Sequence, residues 1–214
     1  MLNLGNYIIT TGTFDPPTRK GHLNNLVQAH KITGKKIMVL PNYNPGHKKP
    51  FASFTERVSM LKKLFKQHPF IHVRTFQKRV DSKLRQLTNQ SAQYTEMYKM
   101  IIKENKLLPG QRLGLLTGED NAANVLKSLK ENNMLKKIKL YVTKRPGYEL
   151  SDEIIKQYRE VGAEIKILPE VSDASSSVVR KSITEGTTFK KISILSKSVA
   201  KYMTKHHLYK KLIK

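Results

Sequence analysis

Six short apolar runs, at residues 8–11, 36–40, 70–75, 112–117, 138–143 and 163–168, alternate along this chain with segments whose apolar residues recur at helical spacing. A strand, a helix of about 10–15 residues and a second strand make a βαβ unit, and such units join parallel strands through right-handed crossovers. The alternation predicts an α/β fold: a Rossmann-like, doubly wound parallel sheet with helices on both faces and a small C-terminal helical extension. Helical spacing covers residues 22–32, 92–105, 121–132, 175–184 and 197–206. Two further helices carry start signals, a Ser53-Phe54-Thr55-Glu56 capping box and a Ser151 cap. Residues 77–90 are polar and basic and read as a long loop. No internal repeat interrupts the pattern, so residues 1–214 read as one domain, with a core over 1–170 and a helical part over 171–214.

Composition removes several classes of function. Cysteine is absent, which excludes disulfide frameworks, thiolate zinc sites and cysteine nucleophiles. No run of about 18 apolar residues could span a membrane, so the expectation is a soluble, cytoplasmic protein without a membrane partner. Forty Lys and Arg against 16 Asp and Glu give a formal charge of +24, which attracts polyanions and keeps nucleic-acid binding as an alternative. The lysines are spread along the chain, however, with neither an RNA-binding aromatic signature nor zinc-finger spacing. Small-molecule partners are the stronger reading.

The residues with chemistry in them cluster after predicted strands. Gly12-Thr13-Phe14-Asp15-Pro16-Pro17 follows the first, and Gly21-His22 opens the first helix, where backbone N–H groups and the helix dipole suit a phosphate. The second strand runs into residues 41–50, a turn-rich loop that holds Asn42, His47 and Lys48; Lys48 is a candidate point charge for a phosphate. Gly118-Glu119-Asp120 follows the fourth strand, with Asp120 either capping the next helix or meeting a ribose hydroxyl. Lys144-Arg145-Pro146-Gly147 follows the fifth. Ligands of open α/β sheets bind outside the carboxyl ends of the strands, so these clusters converge on one rim. Ser175-Ser176-Ser177 with Arg180 one turn on adds a second polyphosphate site at a helix start. His206 and His207 lack a third ligand at metal spacing, and no metal-binding set is expected. Neither a P-loop nor a nucleophile elbow is present. Positioning and charge neutralisation, as in phosphoryl or nucleotidyl transfer, fit this inventory.

Gly12-Thr13-Phe14-Asp15-Pro16-Pro17 with Gly21-His22 resembles the first signature of the nucleotidyltransferase superfamily, Gly-Thr-Phe-Asp-Pro-x-His/Thr-x-Gly-His, and Ser175-Ser176-Ser177-Val178-Val179-Arg180 its second, Ile-Ser-Ser-Thr-x-Ile-Arg. Pro41-Asn42, Pro45-Gly46-His47-Lys48, Tyr94-Thr95, Gly118-Glu119-Asp120 and Lys144-Arg145-Pro146-Gly147-Tyr148 are similar to segments of bacterial nicotinate-nucleotide adenylyltransferases, in the same order. The resemblance implies transfer of AMP from ATP, with Mg²⁺, to nicotinate mononucleotide, which yields deamido-NAD and pyrophosphate. It implies that His22, Thr18, Lys48 and Arg180 carry the catalysis. Gly12, Thr13, Phe14, Gly118, Asp120, Arg145, Ser176 and Ser177 would bind ATP, and Asn42, His47, Tyr94 and Thr95 the acceptor. The implied partners are ATP and a pyridine mononucleotide, for a monomer or a homo-oligomer.

Three departures bear on this. The stretch from Asp15 to Gly21 is one residue longer than the pattern, so either Thr18 or Arg19 fills the first His/Thr position; Thr18 is preferred, with the extra residue absorbed before the helix. The chain has no tryptophan, whereas the family has one after its Gly-x-Asp where Ser128-Leu129 stand here, and Tyr98 replaces a threonine. The last two lie on the acceptor side. The alternatives are another phosphorylated acceptor, such as nicotinamide mononucleotide, phosphopantetheine or glycerol phosphate, with adenylyl or cytidylyl transfer, and a degenerate transferase fold that binds nucleic acid.

Overall fold

A computed structural model of the chain describes residues 2–45, 49–76, 78, 90–105, 107–170, 172 and 174–212, with the backbone alone over 90–95. Six strands, β1 (Tyr7–Gly12), β2 (Lys36–Pro41), β3 (Ile71–Val73), β4 (Leu113–Gly118), β5 (Ile138–Thr143) and β6 (Glu164–Leu168), form one sheet. The order is β3-β2-β1-β4-β5-β6 and every pairing is parallel. β1 and β4 are neighbours in the sheet yet far apart in sequence, and the crevice beyond their carboxyl ends is the switch point where doubly wound sheets bind ligands.

Seven α-helices are described: α1 (Asn24–Thr33), α2 (Phe54–Leu64), α3 (Gln90–Glu104), α4 (Glu119–Glu131), α5 (Asp152–Glu160), α6 (Ser176–Thr184) and α7 (Lys197–Lys205). The expected start signals hold. Ser53 and Glu56 form a reciprocal capping box, while Ser151 and Ser175 each accept from the backbone N–H three residues on. Gly34 ends α1 with φ 67°, where a side chain would be strained. α4 starts two residues earlier than the apolar spacing suggests, because Gly118 occupies the cap position and both acidic residues fall in the first turn, where the helix dipole favours them. The loop expected at 77–90 lies almost entirely outside the described residues.

Alternation along the strands divides the core in two. Ile8, Ile37, Val39 and Leu116 face a layer built by α1, α2, α6 and α7, whereas Ile9, Met38, Leu40 and Leu115 face α3, α4 and α5. Residues 176–209 thus pack on the same sheet face as α1 and α2, through Val179, Ile183, Val199, Met203 and Leu208. Both phosphate-binding candidates, at the starts of α1 and α6, therefore lie on one face at the carboxyl ends of the strands. Among the described residues no helix is long and apolar enough to cross a membrane.

Candidate active site

The loop after β1 is clamped from three directions. Asp15, 4 % exposed, accepts from Phe51 N (2.7 Å), Ala52 N (3.1 Å) and the Tyr209 hydroxyl (2.6 Å). Burial, and then the Asp15 carboxylate, hold the Tyr209 hydroxyl far above its usual ionisation range, so it stays a donor. Arg57, 1 % exposed, donates to the carbonyls of Thr13 (2.7 Å), Asn42 (2.8 Å), Ala52 (3.2 Å) and Tyr43 (3.4 Å). One buried guanidinium thus ties the β1 loop to the loop after β2. Phe14 takes φ 53°, unusual for a bulky residue, and its ring packs edge-on to His22 with centroids 5.0 Å apart.

The extra residue before His22 is absorbed as a π turn. Residues Arg19–Leu23 form a π-helical turn, closed by Leu23 N to Thr18 O at 3.1 Å, and α1 follows directly. Thr18 is fully buried and Arg19 exposed, so Thr18 is the residue against His22. It does not line the cavity: its hydroxyl stands between two acceptors, Ala174 O at 2.7 Å and His22 Nδ1 at 2.8 Å. Gly21 sits where a Cβ would come within 2.1 Å of Ala174 O, so the glycine is required by that close approach.

Thr18 N lies 2.9 Å from His22 Nδ1. A backbone N–H can only donate, so Nδ1 carries the lone pair and the ring proton sits on Nε2, on the cavity side. Burial, and secondarily the positive charge of Arg145, push the His22 pKa down from 6.5 to about 4. The unfolded chain takes up this proton near pH 6.5 and the folded chain only near 4, so the stability held by neutral His22 is intact above that window and is lost as pH falls through it. In a ¹⁵N-detected NMR titration, His22 should keep its Nε2–H form at pH 6 and titrate with a midpoint near 4; a midpoint above 6 would refute the assignment.

The second motif docks on the first on one face of the sheet. Ser176 Oγ donates to Pro16 O at 2.8 Å, Arg180 donates to Asp15 O at 2.5 Å and to Ser177 Oγ at 3.1 Å, and Ser175 caps α6. The N–H groups of Ser176 and Ser177 are in the first turn, where a helix leaves donors for an anion. The two motifs border a cavity of about 830 Å³. Thr13, Phe14, His22, Ser176, Ser177 and Arg180 line it. Tyr98, Leu115, Val125, Ser128 and Leu129 line it as well.

A model of the cytidylyltransferase-like family matches residues 9–182, from β1 through the second docked motif. The chain belongs to the cytidylyltransferase-like family. Among curated relatives, the probable nicotinate-nucleotide adenylyltransferases of Bacillus pumilus and Clostridium tetani are similar. The first is 26% identical over 92% of this chain and 95% of its own length, and the second 27% over 93% and 96%. The solved structure of Plasmodium falciparum nicotinic acid mononucleotide adenylyltransferase complexed with NaAD superposes with a TM-score of 0.75, at 16% identity, over 95% of this chain and 97% of that one, so the fold is shared.

On this cytidylyltransferase-like scaffold, Gly12, Asn42, Gly118, Asp120 and Arg145 also line the cavity, whereas His47, Lys48 and the side chains of Tyr94 and Thr95 lie outside the described residues. Asp120 is not the helix cap; it lies in the first turn of α4 and meets Arg145 Nε at 3.2 Å. Sequence reasoning missed the clamps made by Asp15, Arg57 and Tyr209. It also missed Asn25, on the cavity wall, whose Oδ1 accepts from the Thr143 hydroxyl at 2.7 Å. No sequence signal marks these pairings, which join distant segments. Among the described residues no three His, Asp or Glu side chains could together hold a metal ion, and Asp15 is engaged by three donors.

Proposed function

We propose that the chain transfers AMP from ATP to nicotinate mononucleotide. The observation that carries this reading is the docking of the two signatures on each other around His22, at the rim of a cavity lined by polar and apolar side chains. Full-length similarity to curated relatives named as probable nicotinate-nucleotide adenylyltransferases supports the acceptor. In the reaction an acceptor phosphate oxygen attacks the α-phosphorus of ATP, a new P–O bond forms, the bond to the β-phosphate oxygen breaks, and pyrophosphate leaves with that electron pair. No covalent intermediate on the protein is needed.

His22 donates its Nε2 proton as a hydrogen bond to a non-bridging α-phosphate oxygen, whose charge grows in the transition state. Thr18 acts through His22 and holds its tautomer. Arg180, the N–H groups of Ser176 and Ser177, and Lys48 neutralise the departing pyrophosphate. Asp120 and Arg145 hold the nucleoside, and magnesium enters with ATP as part of the substrate. Asn42 and His47, with Tyr94 and Thr95, serve the acceptor, whose ring rests beside Tyr98.

The test is pyrophosphate release from ATP with nicotinate mononucleotide, nicotinamide mononucleotide or 4′-phosphopantetheine. Nicotinate mononucleotide should give the highest kcat/KM, by about tenfold or more. Absence of product with both pyridine nucleotides would sink the reading. Phosphopantetheine belongs in the panel because a Clostridium botulinum phosphopantetheine adenylyltransferase is 43% identical over 65 residues, 30% of this chain.

A further inference from the structure

Glu119 opens α4 beside Asp120 but does not line the cavity, and the chemistry proposed above leaves it without a task. It is 9 % exposed, so its carboxylate is largely removed from water. Both oxygens are aimed at one loop: Oε2 accepts from Arg145 N at 3.1 Å and Oε1 from Leu150 N at 3.0 Å. Between these points Pro146, Gly147, Tyr148 and Glu149 are exposed, and Tyr148 is 58 % accessible. Other anchors among the described residues are Lys144 N on Leu168 O at 3.3 Å, the turn bond from Tyr148 N to Arg145 O at 3.2 Å, and the Leu150 side chain, which is buried in the core. A single carboxylate therefore clips both ends of a loop whose residues 146–149 are exposed.

The clip determines where Arg145 stands. Its guanidinium crosses over Gly118, where a Cβ would meet Arg145 Nε at 2.6 Å and Asp120 Oδ1 at 2.3 Å, and pairs with Asp120 at the cavity wall. That ion pair is about one-third exposed on each side, and such pairs are weak unless the backbone beneath them is fixed. We infer that Glu119 is a positioning residue: by clipping the 144–150 loop to the start of α4 it holds Arg145 and Asp120 in register for the donor nucleotide. The inference rests on the transferase reading for what Arg145 touches. It also explains why the residue between Gly118 and Asp120 is acidic in a chain with so few carboxylates.

Glu119→Gln keeps the shape but turns one end into a donor facing an N–H. Isothermal calorimetry with ATP alone, before any acceptor is added, should show about tenfold weaker binding, and steady-state turnover a similar rise in KM for ATP with kcat within about twofold. On an Arg145→Ala background the same substitution should cost nothing further, because both changes remove one contact. If the wild-type chain does not bind ATP, the transferase reading fails and this inference with it. If the wild type binds but Glu119→Gln binds equally well, or weakens binding as much without Arg145 as with it, the inference alone is overturned. A parallel fall in kcat and melting temperature with KM unchanged also overturns it, since that marks a merely structural role. Should Glu119→Gln not fold, Glu119→Asp, which keeps the charge at shorter reach, is judged by the same results.

Discussion

His22→Ala should lower kcat for adenylyl transfer by about 100-fold or more while the KM for ATP stays within about threefold. The imidazole is held with its proton on Nε2 by the Thr18 N–H on Nδ1, and burial keeps it neutral. A neutral donor is useful here because it binds the ground-state phosphate only moderately and gains as charge accumulates on the α-phosphate oxygens. On the reading proposed above, the remaining phosphates are held by Arg180 and the first turn of α6 independently of His22, which is why KM should change little. Pyrophosphate release under saturating substrates is the measurement, and a loss below tenfold would remove His22 from the chemistry. The same variant addresses the nucleic-acid alternative: salt-sensitive RNA binding by a wild-type chain that shows no turnover, unchanged in His22→Ala, would favour that alternative.

Arg57→Met should cost the fold about 3–5 kcal/mol, the range for removing one member of a buried charged network. Methionine fills much of the space, but the carbonyls of Thr13, Asn42, Tyr43 and Ala52 lose their shared donor and buried Asp15 loses a nearby positive charge. Urea unfolding reads the loss directly. Arg57→Lys should recover little, since an ammonium has neither the planar fork nor the reach to serve four carbonyls in two loops. A cost below 1 kcal/mol for Arg57→Met would show that the clamp contributes little to stability.

The sheet was legible from periodicity because burial on both faces of a parallel strand demands runs such as Ile37–Leu40, and the serine caps marked the helix starts at 54, 152 and 176. The chemical residues of the two motifs were legible for a different reason: each motif is contiguous, so its residue types and spacing survive in one short stretch. What holds the motifs could not be read that way. Arg57 reaches Thr13 across 44 positions and Glu119 reaches Leu150 across 31, and in the sequence each looks like an ordinary charged residue of an amphipathic helix. The insertion before His22 was visible, but whether it would dislodge the imidazole depended on a backbone choice. A π turn keeps Thr18 against His22 and sends the surplus residue, Arg19, outward.

Timing follows from the longest of these contacts. Asp15 and Tyr209 are 194 positions apart, and ribosomes add roughly 5–20 residues per second, so about 10–40 s separate the emergence of the carboxylate from that of its third donor. Throughout that interval a nascent chain can assemble most of its sheet, yet the loop after β1 lacks the hydroxyl that finishes its lock.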